Sequence, residues 1–563
     1  MFYPTSILGG LDLARRAITA HQTATQVAGH NLANAATPGY SRERADLVTA
    51  ANRGGVDVAS ITRLRDRFLD FSLLAEQQAL GQNQAQESLL QRLQAIVTDP
   101  PGEGLSALLD SLFQGFQQLS ANPTDQAVRF AVKDAGDRVA QTFQLMSARV
   151  EQLKSDVTAE IRQRVADANA LVTQIADLDR QIVAARATSS PNDLLDQRDV
   201  LVSRLGEIAG VTATDRADGS IQLALSGTGV LLVDGQASFP LVATLNGATD
   251  TVDLTAGGSL AVLPKSGQLS ALLAARNLAS GAIKQAASDL DALASSIALE
   301  VNRLHASGSG LTEHTVLTTT NAVTSSSVAL GSAGLPFTPV TGSFKVLVHD
   351  AAGAVTATGT INVTAGVTTL DDLRTAINGV ASLTATIANG KLTITAAGGR
   401  TFTFASDTSD TLAALGLNTF FTGAKASTLA VNAVIAGDVT KIAGAVADAG
   451  GLVHPGDGSN ALALARLRTK LTMSAGSQTF TDFYGATVGR IGSLMRAASE
   501  GVSRQQAMVQ VVQNLQQQVA GVSTDEEMIN LSQSQAAYNA AARYAATINE
   551  MIKSLFDMFG VAA

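Results

Sequence analysis

The sequence predicts a mixed α and β, multidomain protein. Its expected core is discontinuous, α-helical and rod-like, drawn from both chain ends as terminal coiled-coil helices, with β-rich domains inserted into it. Three observations predict this class. Small and apolar residues recur at a 3–4 spacing near each chain end, the seam of a helix that pairs with other helices. Two internal stretches abandon that period for the alternation of strands. Finally, 563 residues exceed what one core holds, and with 46% apolar but only 4% aromatic residues, Ala, Leu and Val must do the packing.

The first helix carries Ile7, Leu11, Ala14, Ile18, Ala28 and Leu32 on one seam, with His21 and Thr25 at the intervening positions. Pro38 and Gly39 end it, because Pro disfavours helical geometry at Thr37 and Gly suits a tight turn. Residues 40–60 read as extended. A helix is expected from about Thr62 to Thr98, with Phe68, Phe71, Leu74, Leu89, Leu93 and Ile96 inward and a Gln-rich outer face that includes Gln77 and Gln78. Helices follow over about 104–120, 124–185 and 192–209, separated by Pro-containing breaks. Residues 211–262 alternate as strands, with Asp218-Gly219 and Asp234-Gly235 as turns. Helix returns over 267–306. From 311 to about 450 the chain is rich in Thr, Ala, Gly and Val. There Asn389-Gly390 between two alternating runs signals a hairpin, and residues 370–377 signal a short helix. Helix resumes near Asn460 and runs to the end, interrupted near Gly521. On its last part lie Tyr538, Ala541, Ala545, Ile548, Ile552, Leu555 and Phe559. Ser523 and Thr524, with Glu526 and Glu527 three positions on, form a capping-box pattern that starts this helix.

The expected organisation is nested. Residues 1–65 with 520–563 make a terminal helical assembly domain. Residues 66–210, 263–310 and 452–519 make a helical bundle, 211–262 a small strand-rich insertion and 311–451 an outer β-rich domain. The formal charge of −9, with no cluster of Lys and Arg, argues against nucleic acid. No apolar run approaches the ~18 residues that span a bilayer, so no membrane anchor is expected. Cysteine is absent, which fits a chain exported unfolded and assembled outside the cell. The six His form no metalloprotease helix, and no nucleophile elbow or phosphate loop occurs. The reading is therefore no enzyme, no cofactor and no metal site, with His305 and His314 as surface or capping residues.

Asn31-Leu32-Ala33-Asn34-Ala35-Ala36-Thr37-Pro38-Gly39-Tyr40-Ser41-Arg42 resembles the signature of flagellar rod, hook and hook-associated proteins. Residues 521–527 with Leu531, Gln535, Tyr538 and the run to Phe559 resemble the C-terminal signature of the same group. Three further segments resemble the hook-associated protein 1 family in particular: Pro191 to Asp199 (PNDLLDQRD), Val301 to Gly308 (VNRLHASG) and Asn514 to Gln518 (NLQQQ). The resemblance implies a structural subunit of the bacterial flagellum at the hook–filament junction, exported through the flagellar type III apparatus without a cleaved signal. It implies a ring-like homo-oligomer with hook protein on one side, hook-associated protein 3 and the filament on the other, and an export chaperone. The candidate assembly interface is then Ile7, Leu11, Ala14, Ile18, Ala28, Leu32, Tyr538, Ala545, Ile548, Ile552, Leu555 and Phe559. The signature turn is Asn31, Asn34, Pro38, Gly39, Tyr40 and Ser41. A hook or distal-rod protein, or a flagellar scaffold displaying an adhesive β-rich domain, are the alternatives.

Overall fold

Pro38 sets the first boundary: helix α1 covers Ile7–Asn34 and dissolves into turns before it. The computed structural model describes residues 7–50, 54–98, 104–187, 189–256 and 261–558. Strands β1 (Glu43–Thr49) and β2 (Val56–Arg63) follow as an antiparallel hairpin with a bulge at Asp46/Leu47. The next helix, α2, starts at Arg67 and ends at Val97. The sequence put its start near Thr62, but Thr62 pairs with Arg44 in the hairpin. Asp66 then accepts the Phe68 amide at 2.8 Å, as a helix N-cap does. Two of the expected inward residues point out: Phe68 is 75% exposed and Phe71 49%.

Helices α3 (Leu105–Ala121), α4 (Gln126–Ala185) and α5 (Asn192–Ala209) fall close to their expected limits. Helix α4 has 60 residues. Val157, Ile161, Val165, Ala168, Val172 and Ile175 are buried along it at the 3–4 spacing, and that buried stripe is what holds so long a helix. The chain then switches to strands. β3 (Val211–Asp215), β4 (Ile221–Leu225), β5 (Leu231–Asp234) and β6 (Ala237–Ser238) form a sheet in sequence order, and β7 (Leu241–Asn246) pairs with β8 (Thr251–Ala256). Along β4 the residues alternate between fully and partly buried, as one face packed on a core requires.

The single helix expected over 267–306 is two, α6 (Gly267–Asn277) and α7 (Ala282–Ala306). Leu278 is extended at the C-cap of α6 and Gly281 extended at the N-cap of α7, which breaks the run. β9 (Val316–Thr318), β10 (Gly342–His349) and β11 (Val355–Val363) come next. After them α8 (Leu370–Asn378) opens on a full capping box between Thr369 and Asp372. β12 (Leu383–Ala388) and β13 (Lys391–Ala396) turn through Asn389 and Gly390, both at positive φ. With β14 (Thr401–Ala405) they complete two three-stranded sheets, ordered β11-β10-β14 and β12-β13-β9. Phe344, Val346, Leu373, Ile394, Phe402 and Phe404 sit in their shared core. Short elements follow: α9 (Thr411–Leu415), β15 (Phe421–Thr422), β16 (Ala430–Val431), α10 (Ala433–Gly437) and α11 (Ser459–Arg466). The C-terminal run breaks a second time at residues 467–479, where Met473 and Gln478 pair. Helix α12 (Phe480–Ala520) and helix α13 (Thr524–Met558) flank Gly521.

Two compact units result: Met1–Leu89 with Val157–Leu278 and Arg496–Ala563, and Leu90–Asp156 with Ala279–Met495. The first holds α1, α5, α13 and the sheets of β1–β8. The second holds α3, α7, α11 and the sheets of β9–β16. The mixed fold with several small sheets is the class read from the sequence. Among the described residues, no helix is long and apolar enough to cross a membrane.

Candidate functional site

In the first unit, α1 and α13 lie along each other. Gly10 permits the approach: a Cβ there would stand 2.8 Å from Ile548 Cδ1 and 3.3 Å from the Tyr544 hydroxyl. Of the candidate interface residues, Ala14, Ala28 and Ile548 are buried by this pairing or its neighbourhood. Ile7, Leu11, Ile18, Ala545 and Ile552 are partly buried. Leu32, Tyr538 and Leu555 remain exposed, as do Ile529, Met551 and Phe556 on other faces of α13. Phe559 lies outside the described residues. Helix α12 adds an outward stripe that the sequence reading did not single out: Met508, Val511, Leu515 and Val519 are all exposed at helical spacing.

The turn after α1 is densely bonded. Asn31, 1% exposed, bonds nothing at its own helix end. Its carboxamide donates to the Glu43 carbonyl at 2.8 Å and to Glu527 Oε2 at 3.1 Å, and accepts the Glu43 amide at 2.9 Å and the Tyr40 hydroxyl at 2.7 Å. Asn34 closes locally, donating to the His30 carbonyl at 3.1 Å and accepting from Thr37 at 3.2 Å. Pro38 and Gly39 are exposed. Gly39 has φ +82°, and a Cβ there would collide with Val200 Cγ2 of α5, so only glycine fits the turn.

Ser41 is gripped from the other side. Its amide and hydroxyl donate to the two oxygens of Asp196 at 2.8 and 2.9 Å. Burial pushes the Asp196 carboxyl up, against the pull of the Ser41 amide and Arg63. Arg63 bridges Asp196 at 2.6 Å and Asp199 at 2.9 Å, and Arg65 pairs with Asp199 and, at 2.8 Å, with Asp70. Behind them Arg198 and Asp179 form a fully buried pair at 3.0 Å, and Asp179 also accepts the Ile221 amide. At the start of α13, Arg42 reaches Glu526 and Glu527 at 2.7 Å each, and its amide donates to the Ala520 carbonyl. Ser523 precedes the first helical residue, Thr524, and its hydroxyl stands 3.4 Å from the Glu526 amide. The Glu526 side chain is engaged by Arg42 rather than folded back on the cap.

Segments 31–42, 191–199 and 521–527, far apart in sequence, thus meet in one polar clamp. The sequence placed Gln77 and Gln78 on an outer face and did not reveal the partners of the glutamines in this unit. Gln78, 6% exposed, donates to the Val211 carbonyl at 2.7 Å and accepts from Ser266 at 2.8 Å, while Gln77 accepts from Ser203. Gln516 donates to Asp70 at 2.7 Å. Expected on an outer helix face, these glutamines instead pair within the chain. The clamp borders a groove of about 1760 Å³ lined in part by Pro38, Tyr40, Arg63, Phe71, Arg204 and Gln513. Within its lining Arg63, Arg65, Asp70, Asp199 and Gln516 are tied to one another in ion pairs and an amide hydrogen bond. Among the described residues, one group of His and carboxylates stands close enough to share an ion: His30, Glu43 and Asp193.

The second unit corrects the reading of two histidines. His305 is fully buried, and His314 is 7% exposed. Asn418, at φ +52°, joins them. Its carbonyl takes His305 Nδ1 at 2.7 Å, its side-chain oxygen meets His314 Nε2 at 3.1 Å, and its amide caps the end of α7 through the carbonyls of His305, Ala306 and Gly308. Burial lowers both imidazoles to about 4.

Comparison with known proteins agrees along the chain. Residues 90–317 match the family described as the flagellar hook-associated protein FlgK helical domain. The flagellar hook-associated protein 1 of Bacillus subtilis is 25% identical over 99% of this chain and 99% of its own. That of Escherichia coli is 26% identical over 97% of this chain and 99% of its own. A solved structure, the flagellar hook junction protein FlgK from Burkholderia pseudomallei, shares the fold. It superposes at a TM-score of 0.54 over 80% of this chain and 100% of that one, with 20% identity.

Proposed function

We propose that this chain, a member of the flagellar hook-associated protein 1 family, is a structural subunit that polymerises at the hook–filament junction and connects hook to filament without catalysis. One observation carries the reading. Two segments that carry the signatures of the flagellar axial group, 31–42 and 521–527, and one that resembles the family in particular, 191–199, converge on a single clamp, and from it α1 and α13 leave as a packed pair on which Leu32 of α1 and Ile529, Tyr538, Met551, Leu555 and Phe556 of α13 stay exposed. A pair satisfied within the chain on one side and bare on the other suits lateral packing between copies, as in a coiled-coil layer. In this reading Leu32, Tyr538 and Leu555 face neighbouring subunits, and Ala14, Ala28 and Ile548 hold the pair together. Hook protein would lie on one side of the ring, hook-associated protein 3 and the filament on the other. Export through the type III apparatus without a cleaved signal, and a chaperone for it, belong to the same proposal. So does the four-part organisation with residues 311–451 outermost.

The test is complementation of a strain that lacks its own junction protein. The unaltered chain restores filaments and swimming. A Leu555→Asp, Phe556→Asp variant is exported but fails to incorporate, leaving hooks bare and filament subunits in the medium. Normal swimming with that variant would falsify the assembly role of the α13 surface.

A further inference from the structure

Around His30 the charges of the clamp do not balance. Glu526 and Glu527 are answered by Arg42, and Asp196 and Asp199 by Arg63. Among the described residues, Glu43 and Asp193 have only His30 as a basic partner, at 3.3 Å from Nδ1 and 3.9 Å from Nε2. An imidazole carries one positive charge at most, and only when protonated, so two carboxylates converge with at least one charge unmet. The Glu43 side chain is only 9% exposed, where an uncompensated charge is costly. Its backbone is fixed at both N–H and C=O by Asn31, so its carboxylate is held in place rather than free to swing to solvent. The Tyr40 hydroxyl stands 3.2 Å from the same imidazole.

We propose that His30, Glu43 and Asp193 bind a divalent transition-metal ion of the Zn2+ class, which bridges α1, β1 and α5 and locks the clamp. One nitrogen and two carboxylate oxygens are a donor set suited to Zn2+ and its neighbours, whereas Ca2+ and Mg2+ take oxygen alone. One ligand atom from each residue lies within 4.8 Å of the others. Ligands at about 2.1 Å from a tetrahedral ion stand roughly 3.4 Å apart, so closure asks for a shift of about an ångström. Asp193 supplies it: its side chain is 62% exposed in the first turn of α5. Beside it opens a cavity of about 500 Å³ lined by His30, Asn34, Tyr40 and Gln197, which leaves room for a water ligand.

The full-length chain, stripped with EDTA, is titrated with Zn2+ by calorimetry and with Co2+ by visible absorption. The expected result is one equivalent bound, with the visible bands of a nitrogen- and oxygen-ligated Co2+ that Zn2+ displaces. His30→Gln and Asp193→Asn each lower the affinity at least about tenfold. His454→Ala, which removes the exposed His454–Asp448 pair, leaves it unchanged. Because Asp193 is exposed, Asp193→Asn in EDTA melts as the unaltered chain does, and that keeps a loss of binding distinct from a loss of fold. No stoichiometric binding, or retained affinity in either the His30 or the Asp193 variant, overturns the proposal.

Discussion

Glu527 is 3% exposed and its carboxylate is held by Arg42 and Asn31. Removing the cation strands a buried anion, which costs more than the pair itself contributes. Arg42→Ala should therefore destabilise the first unit by about 2–3 kcal/mol, the figure for a buried pair reduced because Arg42 is partly solvated. Glu527→Gln should cost less, since the amide keeps its bond to Asn31. Urea midpoints of the two variants check the order. The buried histidines give a pH prediction. His305 accepts the Ala443 amide on Nε2 at 2.9 Å and faces the Asn418 carbonyl with Nδ1, so the neutral ring with its proton on Nδ1 satisfies both partners. Its folded pKa is about 4 against 6.5 for the free side chain. Between those values the unfolded chain binds the proton and the folded chain does not. Stability is thus full above pH 6.5 and falls as pH drops towards 4, by up to on the order of 3 kcal/mol for this residue. His314 adds a loss of the same sign. His305→Asn should flatten the slope of melting temperature against pH over that interval. An unchanged slope would remove His305 from the account.

At the scale of elements, the α1–α13 pair separates two substitutions that look alike in sequence. Ile548 is 6% exposed against Gly10, and Leu555 is 38% exposed. Ile548→Asp buries a carboxylate without a partner and should loosen α13 already in the monomer, by a few kcal/mol. Leu555→Asp should leave the monomer's helix content and melting unchanged. Far-ultraviolet circular dichroism of both variants decides it, and equal losses would mean the stripe has no inner and outer side. Helix limits near Pro38, Pro123 and Pro191 and the Asn389-Gly390 hairpin were legible because each rests on local backbone chemistry. The start of α2 was not, because Thr62 pairs with Arg44 across the hairpin, a tertiary choice. The inner face of α13 was legible as a stripe, but nothing in a single stripe says which of its residues meet the same chain. The clamp was legible only as three separate motifs: that Asn31 meets Glu527 and Ser41 meets Asp196 is set by folding over hundreds of residues. The partners of Gln77 and Gln78 were not legible, since composition cannot see that one faces Ser203 of α5 and the other the Val211 carbonyl at the start of β3.

For the whole molecule, the two compact units imply that unfolding is not one transition. Within the second unit, the sheets of β9–β14 close on an apolar core that lies between Leu317 and Leu417 save for Ala306 at the end of α7. A fragment of residues 311–417 should therefore fold alone and melt cooperatively, with the dispersed amide spectrum of a packed β-rich domain. A broad, non-cooperative melt would show that it depends on the helices around it. The three Thr residues along β13 and β9 that face out, Thr318, Thr393 and Thr395, should tolerate substitution with little effect on that melt.

The hydrogen bond between Asn31 and Glu527 spans 496 residues. A ribosome adding about 5–20 residues each second needs roughly 25–100 s to travel that distance. Throughout that interval the nascent N-terminal segment can meet Asp196 once it is made, but not Glu527. The latch is therefore also a clock: it keeps the leading end of the chain open until the trailing end exists, and gives whatever handles the unfolded polypeptide a fixed time in which to act.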